Sequence, residues 1–139
     1  MIFEIARFLT QRKVGVFDET NGTNNPEHNI FIGIMPDGAN VPNDVILLNQ
    51  YAGSQPLLKA LDQVQRPGLQ IKCRAQYYDD AHQKAEQINR VLDQYSGEIG
   101  DSYYLEIRAV QSPFLLSQDS NERIIYVQNF MIARRKGGG

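Results

Sequence analysis

Apolar positions recur at two different periods along this chain, and the switches between them mark out its elements. From Ile2 to Lys13, Ile2, Ile5, Ala6 and Leu9 fall at i, i+3, i+4 and i+7, the spacing of one helix face, and Gly15 is placed to end it. Phe3 and Phe8 flank that stripe on opposite sides, so the apolar arc is wider than one sheet face requires. A helix wedged between a sheet and a loop accounts for it; the alternative is that one phenylalanine meets a neighbouring subunit. A second helix is expected over Asp79–Tyr95, with Ala81, Ala85, Ile88, Leu92 and Tyr95 as its stripe. Asp79 or Asp80 is placed to cap its start, and Gly97 to end it.

Between the helices the period drops to two. Leu69, Ile71, Cys73, Ala75 and Tyr77 alternate with Gln70, Lys72, Arg74 and Gln76, which predicts a strand with Cys73 on its apolar face and Lys72 and Arg74 on an open one. Ile30–Met35 and Asp44–Gln50 show little alternation and are expected as central strands covered on both sides, with Val14–Phe17 starting another. Tyr103–Gln111 places Tyr103, Leu105, Ile107 and Ala109 opposite Glu106 and Arg108. Ser112-Pro113 then bends the chain, because proline has no N–H to give a ladder. After a polar crest at Ser117–Arg123 comes a strand apolar on both faces: Ile124, Tyr126, Phe130 and Ile132 on one, Ile125, Val127 and Met131 on the other. Gln128 and Asn129 interrupt the two faces in turn, and such a strand must be covered twice.

The connections are uneven. Asp18–Asn29 is a turn-rich loop, and Ser96–Asp101 a turn. Tyr51–Gly68 carries Leu57, Leu58, Leu61 and Val64 and reads either as one or two helical turns or as an arm whose leucines are buried on assembly. Together these elements predict an α+β fold of two layers, a mostly antiparallel sheet with two helices packed on one face. A single domain over residues 1–133 is expected, followed by a flexible basic and glycine-rich tail, 134–139.

Composition narrows the function by exclusion. At 139 residues, 42% hydrophobic and 22% charged, the chain can bury a core without metal or disulfide, and its one cysteine permits no internal disulfide. The start, MIFEIARFLTQRK, lacks the pattern of a secretory leader, and no apolar run is long enough to cross a bilayer as a helix, so a soluble intracellular protein with no membrane partner is expected. A net charge of −2 disfavours direct DNA binding. No phosphate loop, CxxC, HExxH or GxSxG occurs. The paired acids at 18–19 and 79–80 read as turn and cap chemistry, His28 and His82 have no second ligand in sequence reach, and a salt bridge from Asp119 to Arg123 is expected across the crest. No catalytic residue, metal or cofactor is expected, and a small ligand-binding domain remains the alternative from another class.

Three blocks then matter together: Phe31–Pro36; Arg66–Ile71 leading to Arg74-Ala75; and Ala109–Phe114 followed by Asp119, Arg123 and Tyr126–Phe130. With Ala81 and Ala85 between them, they resemble the tail terminator (tail completion, or minor capsid) proteins of long-tailed bacteriophages. Ser117-Gln118 stands where the resemblance implies a Gly-Arg pair before the crest aspartate, and Ser120-Asn121 where it implies a turn glycine. The resemblance implies a structural virion protein of the tail and neck, assembled in the host cytoplasm as a ring of six copies. It would cap the head-proximal end of the tail tube, stop its growth and dock the neck or head-completion protein. Genomic DNA would only pass through its hole. Another neck component, a head-completion or adaptor protein, is the alternative within the same setting. Candidate ring or partner contacts are Phe3, Phe8, Leu57, Leu58, Leu61, Arg66, Tyr126, Gln128 and Phe130; candidate groups facing the tube or neck are Lys72, Arg74, Gln118, Asp119 and Arg123.

Overall fold

The computed structural model describes residues 1–20, 26–38, 41–51 and 64–135. Its elements run α1 (Ile2–Gln11), β1 (Ile30–Ile32), β2 (Val45–Tyr51), β3 (Val64–Gln65), β4 (Gly68–Ala75), α2 (Tyr78–Leu92), β5 (Tyr95–Ile99), β6 (Ser102–Ala109), β7 (Phe114–Gln118) and β8 (Ile124–Arg135). All eight strands form one sheet in the order β1-β2-β4-β8-β6-β5, with β3 and β7 also paired to β8. Among the described residues β1–β2 is parallel and the other pairings are antiparallel. The fold is α+β with a mostly antiparallel sheet.

β8 is the axis of that sheet. On one edge β4 takes Ile124–Met131 and β3 takes Arg134-Arg135; on the other β7 takes Ile124–Val127 and β6 takes Phe130–Arg135. Pairing along both edges places β8 inside the sheet, and its residues from Ile124 to Arg134 are all buried or half-buried, which agrees with the apolar side chains its sequence puts on both faces. Ile5, Ala6, Phe8 and Leu9 of α1 and Ala81, Ala85, Ile88 and Leu92 of α2 join a single buried cluster with Ile46, Leu48, Leu69, Ile71, Cys73, Tyr126 and Phe130. Cys73 is core, as expected, and burial pushes its thiol up to about 12. Gly68 is fixed by a close approach: a Cβ there would lie 2.4 Å from the Tyr51 ring on the neighbouring strand.

Several elements differ from the sequence expectation. Ser96–Asp101 is not a turn, because β5 occupies 95–99 and reverses into β6 at Gly100 (φ +58°). α2 therefore ends at Leu92, and Gln94 (φ +65°) makes the exit assigned to Gly97, which lies in β5. Asp79 and Asp80 sit in the first turn of α2 rather than at its cap, which is Tyr77 without a side-chain hydrogen bond. Tyr77 accordingly points to solvent and leaves the apolar face of β4. Val14–Phe17 forms no strand, and β1 is a three-residue edge strand ended by Gly33 (φ +94°), not a covered central one. β8 continues through Arg135, so Arg134 and Arg135 belong to the sheet and not to a tail.

Candidate assembly surface

The crest between β7 and β8 is held by one carboxylate. Asp119 accepts the backbone N–H groups of Asn121 and Arg123, both at 2.9 Å, and the Arg123 Nε–H at 2.8 Å. Burial alone would raise its pKa, but those two N–H groups and the guanidinium outweigh it and hold Asp119 below the usual carboxylate range. The expected Asp119–Arg123 salt bridge therefore exists, and it is a turn-forming device. Arg123 is buried and reaches on to Asp37 Oδ2 at 3.2 Å, so it is not a free group facing a partner. Gln118, by contrast, is exposed and only ties its Nε2 to the Glu122 carbonyl.

A second guanidinium closes the same end of the sheet. Arg74, 2% exposed, lies in the row Val45–Arg74–Ile125 and donates to the carbonyls of Pro36 (2.8 Å), Pro42 (3.0 Å) and Asn43 (3.1 Å). The open sheet face expected for Arg74 is thus covered by the β1–β2 connection, and the alternation misplaces it because alternation fixes a face and not what lies over that face. Lys72, one step along the same face, stays half-buried.

At the other end of β8, Glu4 on α1 accepts hydrogen bonds from Ser102 Oγ (2.9 Å), Tyr104 Oη (2.8 Å) and Arg134 Nη1 (2.8 Å). Arg134 also donates to Ser102 Oγ and to Gln65 Oε1, both at 3.0 Å. Burial pushes the Glu4 carboxyl up, but the hydroxyls of Tyr104 and Ser102 and the charge of Arg134 pull it further down, so it titrates below its ordinary value. The first helix and the last strand are locked by this network, which a reading of charge runs cannot find because Glu4 lies 98 to 130 positions from its partners.

Four of the expected contact residues are internal. Phe130 and Gln128 are fully buried, Tyr126 and Phe8 nearly so, and they are corrected from partner contacts to core. Gln128 spans the break between β6 and β7, its Nε2 donating to the carbonyls of Gln111 and Asn129. Tyr126 donates to Tyr78 Oη at 2.5 Å, and this bond together with burial pushes it up to about 12. Phe8 packs 4.9 Å from the Tyr95 ring. Only Phe3 and Arg66 keep exposed positions, while Leu57, Leu58 and Leu61 lie outside the described residues.

The exposed apolar groups sit elsewhere. On β7, Phe114, Leu115 and Leu116 are 41%, 49% and 46% exposed, and every residue of that strand is open to solvent. On β6 a register shift between Tyr104 and Glu106 makes Leu105 an extra residue; Tyr104 and Ile107 turn into the core while Tyr103 and Leu105 turn out, reversing the expected face for Tyr103 and Leu105. Polar groups converge nowhere among the described residues into a set of three or more metal-ligating side chains.

A family model described as bacteriophage tail terminator protein matches residues 8–135. This chain belongs to the bacteriophage tail terminator family. The match runs from the last turn of α1 to the last residue of β8, so the described sheet, α2 and the crest fall within it. Membership makes the chain a structural component of a phage tail. No curated protein matches the sequence. No helix among the described residues of this tail terminator is long and apolar enough to cross a membrane.

Proposed function

We propose that this tail terminator closes the head-proximal end of the tail tube as a ring of six copies, stops tube growth there and presents its outer side to the neck or head-completion protein. The family match over residues 8–135 carries the reading. The fold supports it: the side chains that a soluble monomer hides are left out on β7 and on the bulged part of β6, and single-domain proteins seldom leave adjacent apolar side chains in the open without a partner. DNA passes through the ring without base-specific contact, and the protein works by surface complementarity with no cofactor.

Tail tubes grown without length control provide the test. Added protein is expected to arrest growth and to appear at one end of each tube as a ring with a central hole by negative-stain microscopy. Tubes that keep growing with the protein bound at the neck instead would assign it to an adaptor position and overturn the terminator reading.

A further inference from the structure

Strand registers divide the sheet into two faces. Leu48, Ile71, Ile107 and Ile132 stand on one of them and join the residues of α1 and α2 in the buried cluster. The opposite face is made of the rows Lys72–Val127, Gly68–Met131–Arg108, Ala133–Glu106 and Arg135–Tyr103–Glu98. Arg66 reaches it just before β4 and lines a recess of about 190 Å³ with Arg108, Glu106, Met131 and Ala133. Arg66, Arg108 and Arg135 are exposed, and Lys72 is half-buried.

Charge is unevenly placed between the faces. The whole chain carries −2, yet cations outnumber carboxylates on this second face, where Glu98 and Glu106 are the acids among the described strand positions. Glu106 lies 3.9 Å from Arg108 Nε, and both side chains are more than half exposed, so water screens most of that attraction. Lys72, Arg108 and Arg135 fall in the rows of positions 127, 131 and 135 on β8, evenly spaced at about 13 Å by the strand rise. Such a row suits a uniform polyanion better than a folded protein. The centre of a protein contact is depleted of charge and built on buried aromatic anchors. Here the guanidiniums of Arg66 and Arg108 flank the central recess, and the exposed Tyr51 and Tyr103 lie outside it. Duplex DNA carries about one charge per 1.7 Å of axis, so about 16 charges lie along the roughly 27 Å that the row spans. Arginine meets phosphate oxygens through paired N–H donors.

We propose that this face lines the hole of the ring and holds the passing DNA by its phosphates, through Lys72, Arg66, Arg108 and Arg135. The proposal rests on the ring reading and assigns the face that the ring turns inward. Phosphate contacts carry no base information. A sparse row of cations, partly offset by Glu98 and Glu106, lets the duplex slide without being gripped at one register.

The test is binding of the assembled ring to a fluorescent linear duplex of about 30 bp and mixed sequence, from about 50 to 200 mM salt. Assembly is followed by light scattering and folding by circular dichroism. Arg108→Gln and Arg135→Gln are each expected to keep the ring and to flatten the slope of log affinity against log salt by about 1 or more. Glu106→Gln removes an opposing charge and should tighten binding, whereas Lys13→Gln, exposed on the turn after α1, should leave affinity and slope unchanged. A preformed ring should take up the linear duplex and not a closed circle, which has no end to thread. Unchanged slopes in both arginine variants, weaker binding by Glu106→Gln, or equal uptake of the circle overturns the proposal while leaving the ring reading in place. Preference for polyglutamate over duplex at equal charge would give the face to an acidic protein and likewise overturn it. A wild-type chain that stays monomeric both alone and on tubes removes the ring reading, and this inner face with it.

Discussion

Glu4 and Arg134 show what one pair of side chains does for this fold. They are 14% and 10% exposed, and each has its remaining hydrogen-bonding groups partly satisfied by Ser102, Tyr104 or Gln65. Removing one partner leaves the other charge buried, so Glu4→Gln is expected to cost about 3 kcal/mol at neutral pH, measured by urea unfolding. The sign of its pH dependence follows from the lowered carboxyl. The stabilisation is fully present above the unfolded value of 4.5 and is lost as pH falls through the lower folded value. The gap between wild type and Glu4→Gln should therefore narrow as pH drops below 4.5, and a gap that widens in acid would contradict the assignment. Phe130, fully buried between β4 and β6, tests packing alone: Phe130→Ala should cost about 3–5 kcal/mol through the cavity it leaves. The same variant that retains ring assembly at low temperature would agree with its place in the core and not at a subunit contact.

At the level of elements, the β1–β2 connection is fastened to the sheet by Arg74 and Arg123, one through three carbonyls and the other through Asp37. Arg74→Met keeps the volume of the stem but removes all three charge-assisted hydrogen bonds. A loss of about 2 kcal/mol is expected, with faster proteolytic cleavage within residues 36–43, because the freed carbonyls must lift away to reach water. Cleavage at the wild-type rate would show that the fastening lies elsewhere. The helices and β4 were legible from periodicity because a helix stripe or an alternating strand contains its own evidence. β5 was not: its alternation of Tyr95, Gly97 and Ile99 with Ser96 and Glu98 is short and centred on a glycine that reads as a turn, and it is a strand because β6 offers it an edge. The β6 faces failed for a related reason, since the extra residue at Leu105 breaks the alternation and leaves Tyr103 and Leu105 turned away from the face that holds Ile107.

For the whole molecule, the family match and the exposed apolar residues of β7 are two separate observations. The resemblance rested on side chains that proved to be structural: Asp119 and Arg123 build the crest, Arg74 fastens a loop, and Tyr126, Gln128 and Phe130 fill the core. Residues that preserve a fold identify a family more readily than residues that touch a partner, and for that reason the match located the protein without locating its contacts. Tube length is the readout at this scale. On the proposal that this protein ends tube growth through β7, tubes assembled with Leu116→Asp should be longer and more variable than with wild type, and a wild-type length distribution would count against β7 as an assembly surface.

The sequence by itself determined the fold class, the two helices, the core position of Cys73, the crest salt bridge and the double-sided character of β8. Each is local, or is a periodic pattern that any burial of apolar surface must honour. Tertiary structure alone decided which apolar residues remain outside. Phe130 and Leu116 look alike in a hydropathy pattern; what separates them is that the strand of Phe130 is flanked by β4 and β6 and joins the buried cluster, while β7 pairs with β8 on one side and its residues stay exposed. Exposure is a property of neighbours distant in the chain, so it could not be read from the residues that carry it.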